Sequence, residues 1–359
     1  MFHYLRNWFS RNFSDPQVII LALVLIVGLA IALVAARTLA PFITSVIIAY
    51  ILEGWVRYLE RHGMPRLPAV LVVFGLFLTL FAAMMLLLIP LLAGQLSQFA
   101  RELPAIASKS QNLLMQLPER YPHIFSEQQV TDLLNSIRHN ITFLGQRLVV
   151  ISLTSAVQLI TFFVYLVIVP MLVFFMLKDK DQIVRWLLNF LPRERRLVNN
   201  VWAEVDTGMS NYVRGKFWEI LIVWGVSYVV FTLLGMPYAL LLSLLIGLST
   251  IAPYIGAAVM TIPVAAVAYF EFGVTPHFWY VLLAYGVIQF LDGNILFPLL
   301  FSNVVNLHPV AIIVAVLVFG GIWGPWGVFF SIPLAQLVLA VLRAWPTSKL
   351  RASPAQPPP

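Results

Sequence analysis

The chain has 359 residues, of which 61% are hydrophobic and 10% charged, and its formal net charge is +7. Soluble domains are roughly half apolar and about a quarter charged, so this composition predicts an all-α protein that crosses a membrane several times. The chain contains no cysteine, which excludes disulfides, iron–sulfur clusters and cysteine nucleophiles. Because Lys and Arg accumulate in the cytoplasmic loops of membrane proteins, the positive charge does not indicate nucleic-acid binding.

Catalytic motifs are missing from the sequence. It has no Gly-rich phosphate loop, zinc-protease helix or serine nucleophile elbow, the patterns that position phosphates, metals and nucleophiles. We therefore expect no enzymatic activity, no cofactor, no metal site and no nucleic-acid partner. The expected partners are the lipid bilayer and a small solute or ion.

Eight apolar segments are candidate membrane spans, near or above the roughly twenty residues that a bilayer core requires. The first follows a basic N-terminus that resembles a secretory signal, but its length favours a retained helix. In chain order the segments are 18–36, 39–56, 68–93, 151–177, 217–235, 238–270, 278–300 and 309–343.

These segments divide the chain into six regions. Two polar regions contain apolar residues at helical spacing, such as Leu96, Phe99 and Leu103 in the first and Tyr212 and Val213 in the second. That pattern predicts amphipathic helices on a membrane surface, with partner-binding helices as the alternative. The regions are an N-terminal three-helix membrane region (1–93), an extracytoplasmic amphipathic segment (94–150), a fourth transmembrane helix (151–177), a cytoplasmic basic amphipathic segment (178–216), a C-terminal transport region (217–343) and a disordered cytoplasmic tail (344–359).

The distribution of positive charge predicts the orientation. Of the 22 Lys and Arg residues, sixteen lie in the N-terminus, in 57–67, in 178–216 and in the residues from 343 onward. Positively charged loops remain in the cytoplasm, so both termini and the region 178–216 are expected on the cytoplasmic side.

Two late segments form an internal repeat, "IAPYIGAAVMTIPVAAVA" (251–268) and "IWGPWGVFFSIPLAQLVLA" (322–340). Each has a Pro–aromatic–Gly cluster followed by Ile-Pro. Because Pro removes a backbone donor and Gly tolerates sharp bends, both segments are expected to break near their middle. Arms of about fifteen residues measure only about 22 Å, shorter than a bilayer core of about 30 Å. Re-entrant hairpins that form an inverted repeat are therefore favoured over two kinked spans.

Asp292 is a carboxylate inside the apolar run 286–301. An ionised carboxylate at the centre of a membrane helix costs roughly 2.5–3.5 kcal/mol. It could bind a cation or a transported proton together with Gln289 and Asn294, it could stabilise a turn at a helix break beside Gly293, or the helix could end early at the water interface. The first two interpretations are compatible, because carbonyls exposed beside a carboxylate form a cation site.

Other polar residues are weaker candidates. Ser249, Thr250 and Tyr254 lie at the first Pro–Gly break, although hydroxyls in helices usually bond to their own backbone. His308 could titrate near neutral pH or cap a helix.

Two further acids are expected to form ion pairs at cytoplasmic helix ends. Glu53 precedes Arg57 by four residues, and Glu219 follows Lys216 by three. Residues at these spacings are neighbours on one helix face.

Four stretches of the sequence point to a known family: "LKDKDQIVRWLLNFLP", "NYVRGK", "GMPYALLLSLLIGLSTIAPYIG" and "DGNILFPLLFSNVVNLHPVAIIVAVLVFGGIWGPWGVFFSIPLA". They resemble the autoinducer-2 exporter family of bacterial permeases, and its PerM-like branch most. The resemblance implies a homo-oligomeric transporter of the bacterial inner membrane. The chain departs from the family pattern at Glu53-Gly54 and at Lys216. The family's polar intramembrane positions fall here on Asp292, Asn294, Pro253, Tyr254, Gly256, His308 and Pro309.

The function predicted from the sequence is that of a permease moving a small solute or ion by alternating access, with coupling to H⁺ or Na⁺ left open. The alternatives are a membrane scaffold that docks envelope or cytoplasmic partners through 94–150 and 178–216, and a passive channel. The predicted substrate or ion site comprises Asp292, Asn294, Gln289, Ser249, Thr250 and Tyr254, and the predicted hinges are Pro253, Gly256, Gly293, Pro325 and Gly327.

Overall fold

The computed structural model describes residues 39–114, 156–189, 196–301 and 308–344, together with the single residues Leu23 and Gln128. This part is α-helical and contains no β-strand, as the composition predicts. The predicted span 18–36 apart from Leu23, the residues 115–155 apart from Gln128, and the tail after residue 344 lie outside the described residues.

The described helices follow one another with short connections. Two π-helical turns, Met84–Leu88 and Asp292–Leu296, interrupt helical rods without ending them. The α-helices are α1 (Ala40–Arg61), α2 (Arg66–Ala83), α3 (Ile89–Leu114), α4 (Ala156–Lys178), α5 (Lys180–Asn189), α6 (Arg196–Leu233), α7 (Ala239–Ser249), α8 (Ile255–Phe272), α9 (Pro276–Leu291), α10 (Phe297–Phe301), α11 (Pro309–Trp323) and α12 (Pro325–Ala344).

The outer surface of these helices suits a bilayer. Leu86, Leu233 and Leu299 are 74%, 82% and 72% exposed. So many large aliphatic side chains on a surface are unfavourable in water and favourable in lipid. Within the described residues, the stretches long and apolar enough to cross a membrane are 40–61, 66–102, 201–233, 255–272 and 276–301.

Two segments predicted to lie on a membrane surface are continuations of long helices. Leu96 and Phe99 belong to α3, which extends α2 through a π-helical turn. Helix α6 is continuous for 38 residues and passes through the predicted region boundary between residues 216 and 217. Its apolar residues Tyr212 and Val213 are buried against α1, α10, α11 and α12. An apolar stripe packs against helices as well as against lipid, so the sequence pattern alone does not distinguish the two environments.

Glu53 on α1 is the centre of an ion-pair network. Its carboxylate lies 3.1 Å from Arg57 Nε, 3.0 Å from Lys180 Nζ and 3.5 Å from Arg66 Nη2. The expected pair with Arg57 is therefore confirmed, and two further cations share the same carboxylate. Because Arg66 begins α2 and Lys180 begins α5, the network joins three helices at one end of the bundle.

Replacing Glu53 by Gln is expected to destabilise the protein by about 2 kcal/mol, because three cations then lose the nearly buried carboxylate that they share. The apparent melting temperature in detergent should fall by about 4 °C. Glu60→Gln is the matched control, since Glu60 contacts Arg66 alone in the ion pairs described, and it should lose less than about 1 kcal/mol. Equal losses for the two variants would contradict the role given to Glu53.

The first repeat folds as a hairpin. Helices α7 and α8 meet at residues 250–254, where Tyr254 has a positive φ of 64°. A Cβ on Gly256 would lie 1.8 Å from the carbonyl oxygen of Ser249, although residues seven apart in a continuous helix are about 10 Å apart. At the opposite end of the hairpin, the His277 Nε2 atom lies 2.7 Å from the Leu234 carbonyl oxygen. The chain therefore returns to the side from which it left α6.

The second repeat folds in the same way. The chain reverses at Gly324, which has φ of +60°, and α11 and α12 pack side by side. A Cβ on Gly327 would lie 1.8 Å from the Phe319 carbonyl oxygen. Gly256 and Gly327, which the two sequence repeats align, thus serve the same close approach of two hairpin arms.

The two hairpins approach the same depth of α6 from opposite ends. The Tyr212 hydroxyl donates to the Phe329 carbonyl oxygen at 2.9 Å. Lys216 lies one helical turn beyond Tyr212 on α6, and Pro325 at the second tip lies one turn before Phe329 on α12. The first tip reaches the same level, because Lys216 Nζ donates to the Thr250 carbonyl oxygen at 2.8 Å. Each repeat is thus a long helix followed by a hairpin, which is the predicted inverted arrangement.

Candidate functional site

The candidate site is built around a buried ion pair on α6. The Lys216 and Glu219 side chains are 0% and 2% exposed, and Nζ lies 2.5 Å from Oε2. The predicted pairing is confirmed. The pair was expected at a cytoplasmic helix end, but it lies inside α6. The helix continues for more than three turns beyond Glu219, and both hairpin tips lie at this depth.

The ammonium group of Lys216 has further partners. It donates to the Thr250 carbonyl oxygen at 2.8 Å, and it lies 5.2 Å from the ring centre of Phe301, 5.8 Å from that of Phe297 and 6.0 Å from that of Tyr212. Aromatic faces attract cations at such distances, most strongly where water is excluded. Lys216 therefore connects α6 to the tip of the first hairpin and to α10.

Asp292 and Gln289 lie one turn apart on the helix that passes this ion pair. Both are half-buried, and the Asp292 Oδ1 and Gln289 Nε2 atoms are buried without a hydrogen-bond partner among the described residues. Asp292 interacts electrostatically with Lys216 and with Glu219. The cluster thus holds two carboxylates and one ammonium group, so one negative charge lacks a counter-charge within it.

The backbone at Asp292 differs from the predicted turn. The helix neither breaks nor ends there, since the π-helical turn Asp292–Leu296 leads directly into α10. Gly293 has open space around it and makes no close approach of the kind seen at Gly256. Of the three interpretations that the sequence left open, the structure does not support a turn at this Gly. A π-helical turn shifts the helical register by one residue and is frequent at functional sites.

Asn294 lies apart from the cluster. Its side chain is exposed, and Nδ2 donates to the Phe290 carbonyl oxygen at 2.9 Å. Residues two apart on a helix point in different directions, so Asn294 and Asp292 do not share a face. Gln289 does share the face of Asp292, because it lies three residues earlier.

The polar residues of the first hairpin tip contribute to the candidate site through backbone atoms more than through side chains. The hydroxyls of Ser249 and Thr250 donate to the carbonyl oxygens of Ile246 and Gly247 at 2.7 and 2.8 Å. The contact to Lys216 comes from the Thr250 carbonyl group. Tyr254 is 54% exposed.

The predicted hinges lie at the hairpin tips, apart from Gly293. Pro253 is in the first turn between α7 and α8, and Pro325 is the first residue of α12. Gly324, whose positive φ makes the second reversal, was not among the predicted hinges, although a Gly directly before a Pro is a recognised turn signal. His308 caps α11, since its Nδ1 accepts from the Val310 backbone N–H at 3.3 Å, which is one of its two predicted roles.

A separate open cavity of about 270 Å³ lies between α1 and α6. It is lined by residues including Trp55, Tyr58, Arg214 and Trp218, and neither Lys216 nor Asp292 belongs to its lining. Within the described ranges, no group of three or more His, Asp or Glu side chains could hold a metal ion.

Two hairpins with broken helices that meet beside a buried charge cluster are an arrangement found in many membrane transporters. The sequence model described as AI-2E family transporter matches residues 19–347. The chain therefore belongs to this family of membrane transporters and is a multi-pass protein of the bacterial inner membrane.

Individual relatives support the same assignment. PerM of Escherichia coli K12, a candidate permease, is 41% identical over 350 residues, which cover 98% of this chain and 99% of PerM. YrrI of Bacillus subtilis 168, a candidate transport protein, is 26% identical over 311 residues, covering 86% and 87% of the two chains. The AI-2 transport protein TqsA of Escherichia coli K12 is 25% identical over 312 residues, covering 86% of each chain.

Proposed function

We propose that the protein is a secondary transporter that moves a small solute or ion by alternating access, driven by the movement of H⁺ or Na⁺. The observation that carries this proposal is the unpaired Asp292 carboxylate oxygen beside the buried Lys216–Glu219 pair. An intramembrane charge is costly and usually marks an ion or substrate pathway. A carboxylate that lacks a counter-charge can bind a proton or cation and release it again.

The cluster provides a route by which ion binding alters the hairpins. Lys216 holds the first hairpin tip through the Thr250 carbonyl oxygen. When Asp292 binds a proton or cation, its attraction for the Lys216 ammonium group weakens, which changes the balance between the contacts of Lys216 with Asp292, Glu219 and the hairpin. A ligand shifts a conformational equilibrium by its differential affinity for the two states. The two hairpins, which approach from opposite ends of α6, would then open access to the cluster in turn.

The remaining elements of the proposal concern the setting of the transporter in the cell. Both termini and the part of the basic region that precedes the span 201–233 lie in the cytoplasm, in agreement with the distribution of Lys and Arg. The protein forms homo-oligomers. The substrate is a small solute, for which autoinducer-2 is the first compound to test because the relative TqsA is named as its transport protein.

Replacing Asp292 by Asn is expected to reduce transport at least about tenfold, since an amide cannot exchange a proton or balance a cation. Solutes released by cells that express either form would be compared by mass spectrometry, starting with autoinducer-2. The solute that differs would then be measured in proteoliposomes. Asp181→Asn on α5, an exposed carboxylate outside the cluster, is the matched control and should transport normally. Full transport by the Asp292→Asn protein would remove this residue from the mechanism and favour a passive channel.

A further inference from the structure

We infer that the Lys216 ammonium group occupies the position of a bound metal cation, so that the coupling ion is H⁺ and not Na⁺. This inference rests on the proposed function, since it names the ion that drives the same site. It depends on the groups that surround Lys216 and on the groups that remain available as ion ligands near Asp292.

The environment of Lys216 Nζ has the composition of a cation site. A carboxylate oxygen of Glu219 lies at 2.5 Å and the carbonyl oxygen of Thr250 at 2.8 Å. That carbonyl belongs to the broken end of α7, and backbone carbonyls at broken helices coordinate cations in transporters. Three aromatic rings, those of Tyr212, Phe297 and Phe301, have their centres within 6.0 Å of Nζ. The Lys216 side chain is fully buried.

The ligands that remain near Asp292 are too few for a metal ion. A dehydrated metal cation needs several oxygen ligands to replace its hydration shell. Glu219 and the Thr250 carbonyl group already bind Lys216, and among the described residues Gln289 is the one amide found on the same face as Asp292. A proton requires a single acceptor oxygen, which Asp292 Oδ1 provides because it is buried and lacks a partner.

Charge repulsion acts in the same direction against a second free cation. Among the described residues, Lys216 and Glu219 on α6 are the charged groups found to interact with Asp292. The first hairpin contributes the neutral Thr250 carbonyl group, and α10 contributes aromatic rings. A buried positive charge repels a second cation near it, and the repulsion is stronger in a protein interior than in water. Neutralising Lys216 should therefore leave Glu219 and the Thr250 carbonyl group available as ligands for a Na⁺ ion. It should also remove the positive charge that repels this ion.

The test compares Na⁺ binding to the purified full chain and to a Lys216→Gln variant. Radioactive ²²Na⁺ binding and thermal unfolding would be measured in detergent, in NaCl and in N-methylglucamine chloride of equal ionic strength. The wild-type protein should bind no Na⁺ and melt at the same temperature in both salts. The Lys216→Gln variant should bind Na⁺ and melt about 5 °C higher in NaCl. Lys180→Gln, which neutralises a lysine of the Glu53 network, is the matched control and should not respond to Na⁺.

A second measurement covers the case in which Lys216→Gln does not fold. Infrared difference spectra of the wild-type protein between two pH values should contain a carboxylic-acid C=O band that is missing in Asp292→Asn, because a proton binds to this side chain. Saturable Na⁺ binding by the wild-type protein, a folded Lys216→Gln variant that ignores Na⁺, or the absence of the Asp292 infrared band would each overturn the inference. None of these results depends on transport, whereas normal transport by Asp292→Asn would reject the proposed function itself.

Discussion

Replacing Gly256 or Gly327 by Ala is expected to destabilise the protein by at least about 3 kcal/mol, the upper range for overpacking. The new Cβ would lie 1.8 Å from the carbonyl oxygen of Ser249 or Phe319. Both atoms that clash belong to backbone or are fixed to it, so no side-chain rotation relieves the contact. The arms of the hairpin must separate instead, and the Thr250 carbonyl group then loses its position beside Lys216. We expect a fall of about 6 °C or more in apparent melting temperature, or loss of folded protein from the membrane.

Two other glycines provide controls for this prediction. Gly225 on α6 and Gly286 on α9 have no atom within 4 Å of an added Cβ. Because Ala favours helix more than Gly by about 1 kcal/mol, Gly225→Ala and Gly286→Ala should be neutral or slightly stabilising. If Gly256→Ala and Gly327→Ala also melted at the wild-type temperature, the hairpin arms could not approach as closely as described.

Replacing Lys216 by Met is expected to destabilise the protein by about 3–5 kcal/mol, since the change leaves Glu219 as a buried charge without its cation. Glu219→Leu alone should have a similar effect, because it leaves the buried ammonium group with a carbonyl oxygen as its hydrogen-bonded partner. The double variant Lys216→Met/Glu219→Leu should recover most of the loss, since removal of both members of a buried ion pair is often close to neutral.

Apparent melting temperatures of the four proteins complete a double-mutant cycle for the pair. The double variant retains Asp292, which can take up a proton once its neighbouring charges are gone, so it should fold without transporting. A double variant whose losses are the sum of the two single losses would show that Lys216 and Glu219 act independently. That result would contradict the ion pair as the stabilising unit of the cluster.

The two hairpins could be predicted from the sequence because their cause is local. Pro253, Gly256, Pro325 and Gly327 restrict or relax the backbone where they stand, and the first arm of each hairpin, with 11 or 15 residues, is too short to cross a bilayer. The pairing of Lys216 with Glu219 was equally predictable from a spacing of three residues. Asn294, which the sequence groups with Asp292, does not share its helix face, because residues two apart on a helix point in different directions.

The depth of the ion pair was not predictable by the same reasoning. Lys216 lies at the end of a polar stretch of sequence, so hydropathy placed it at the edge of the membrane. In the structure it is covered by residues from the first hairpin tip and α10, which are 34 to 85 residues away in the chain. The π-helical turn at Asp292 was also beyond prediction, since one additional residue in a helical turn leaves no signature in composition or periodicity.

The short first arm of the first hairpin has a consequence for how the protein enters the membrane during synthesis. Helix α7 has 11 residues, which measure about 16 Å and cannot cross a bilayer core of about 30 Å. Helix α6, made just before it, carries Lys216 and Glu219, which are unfavourable in lipid until they are covered. Neither helix is therefore a satisfactory unit for the insertion machinery alone. Helix α6 must remain near that machinery, shielded from lipid, until α7 and α8 have emerged and the three helices can enter the bilayer together.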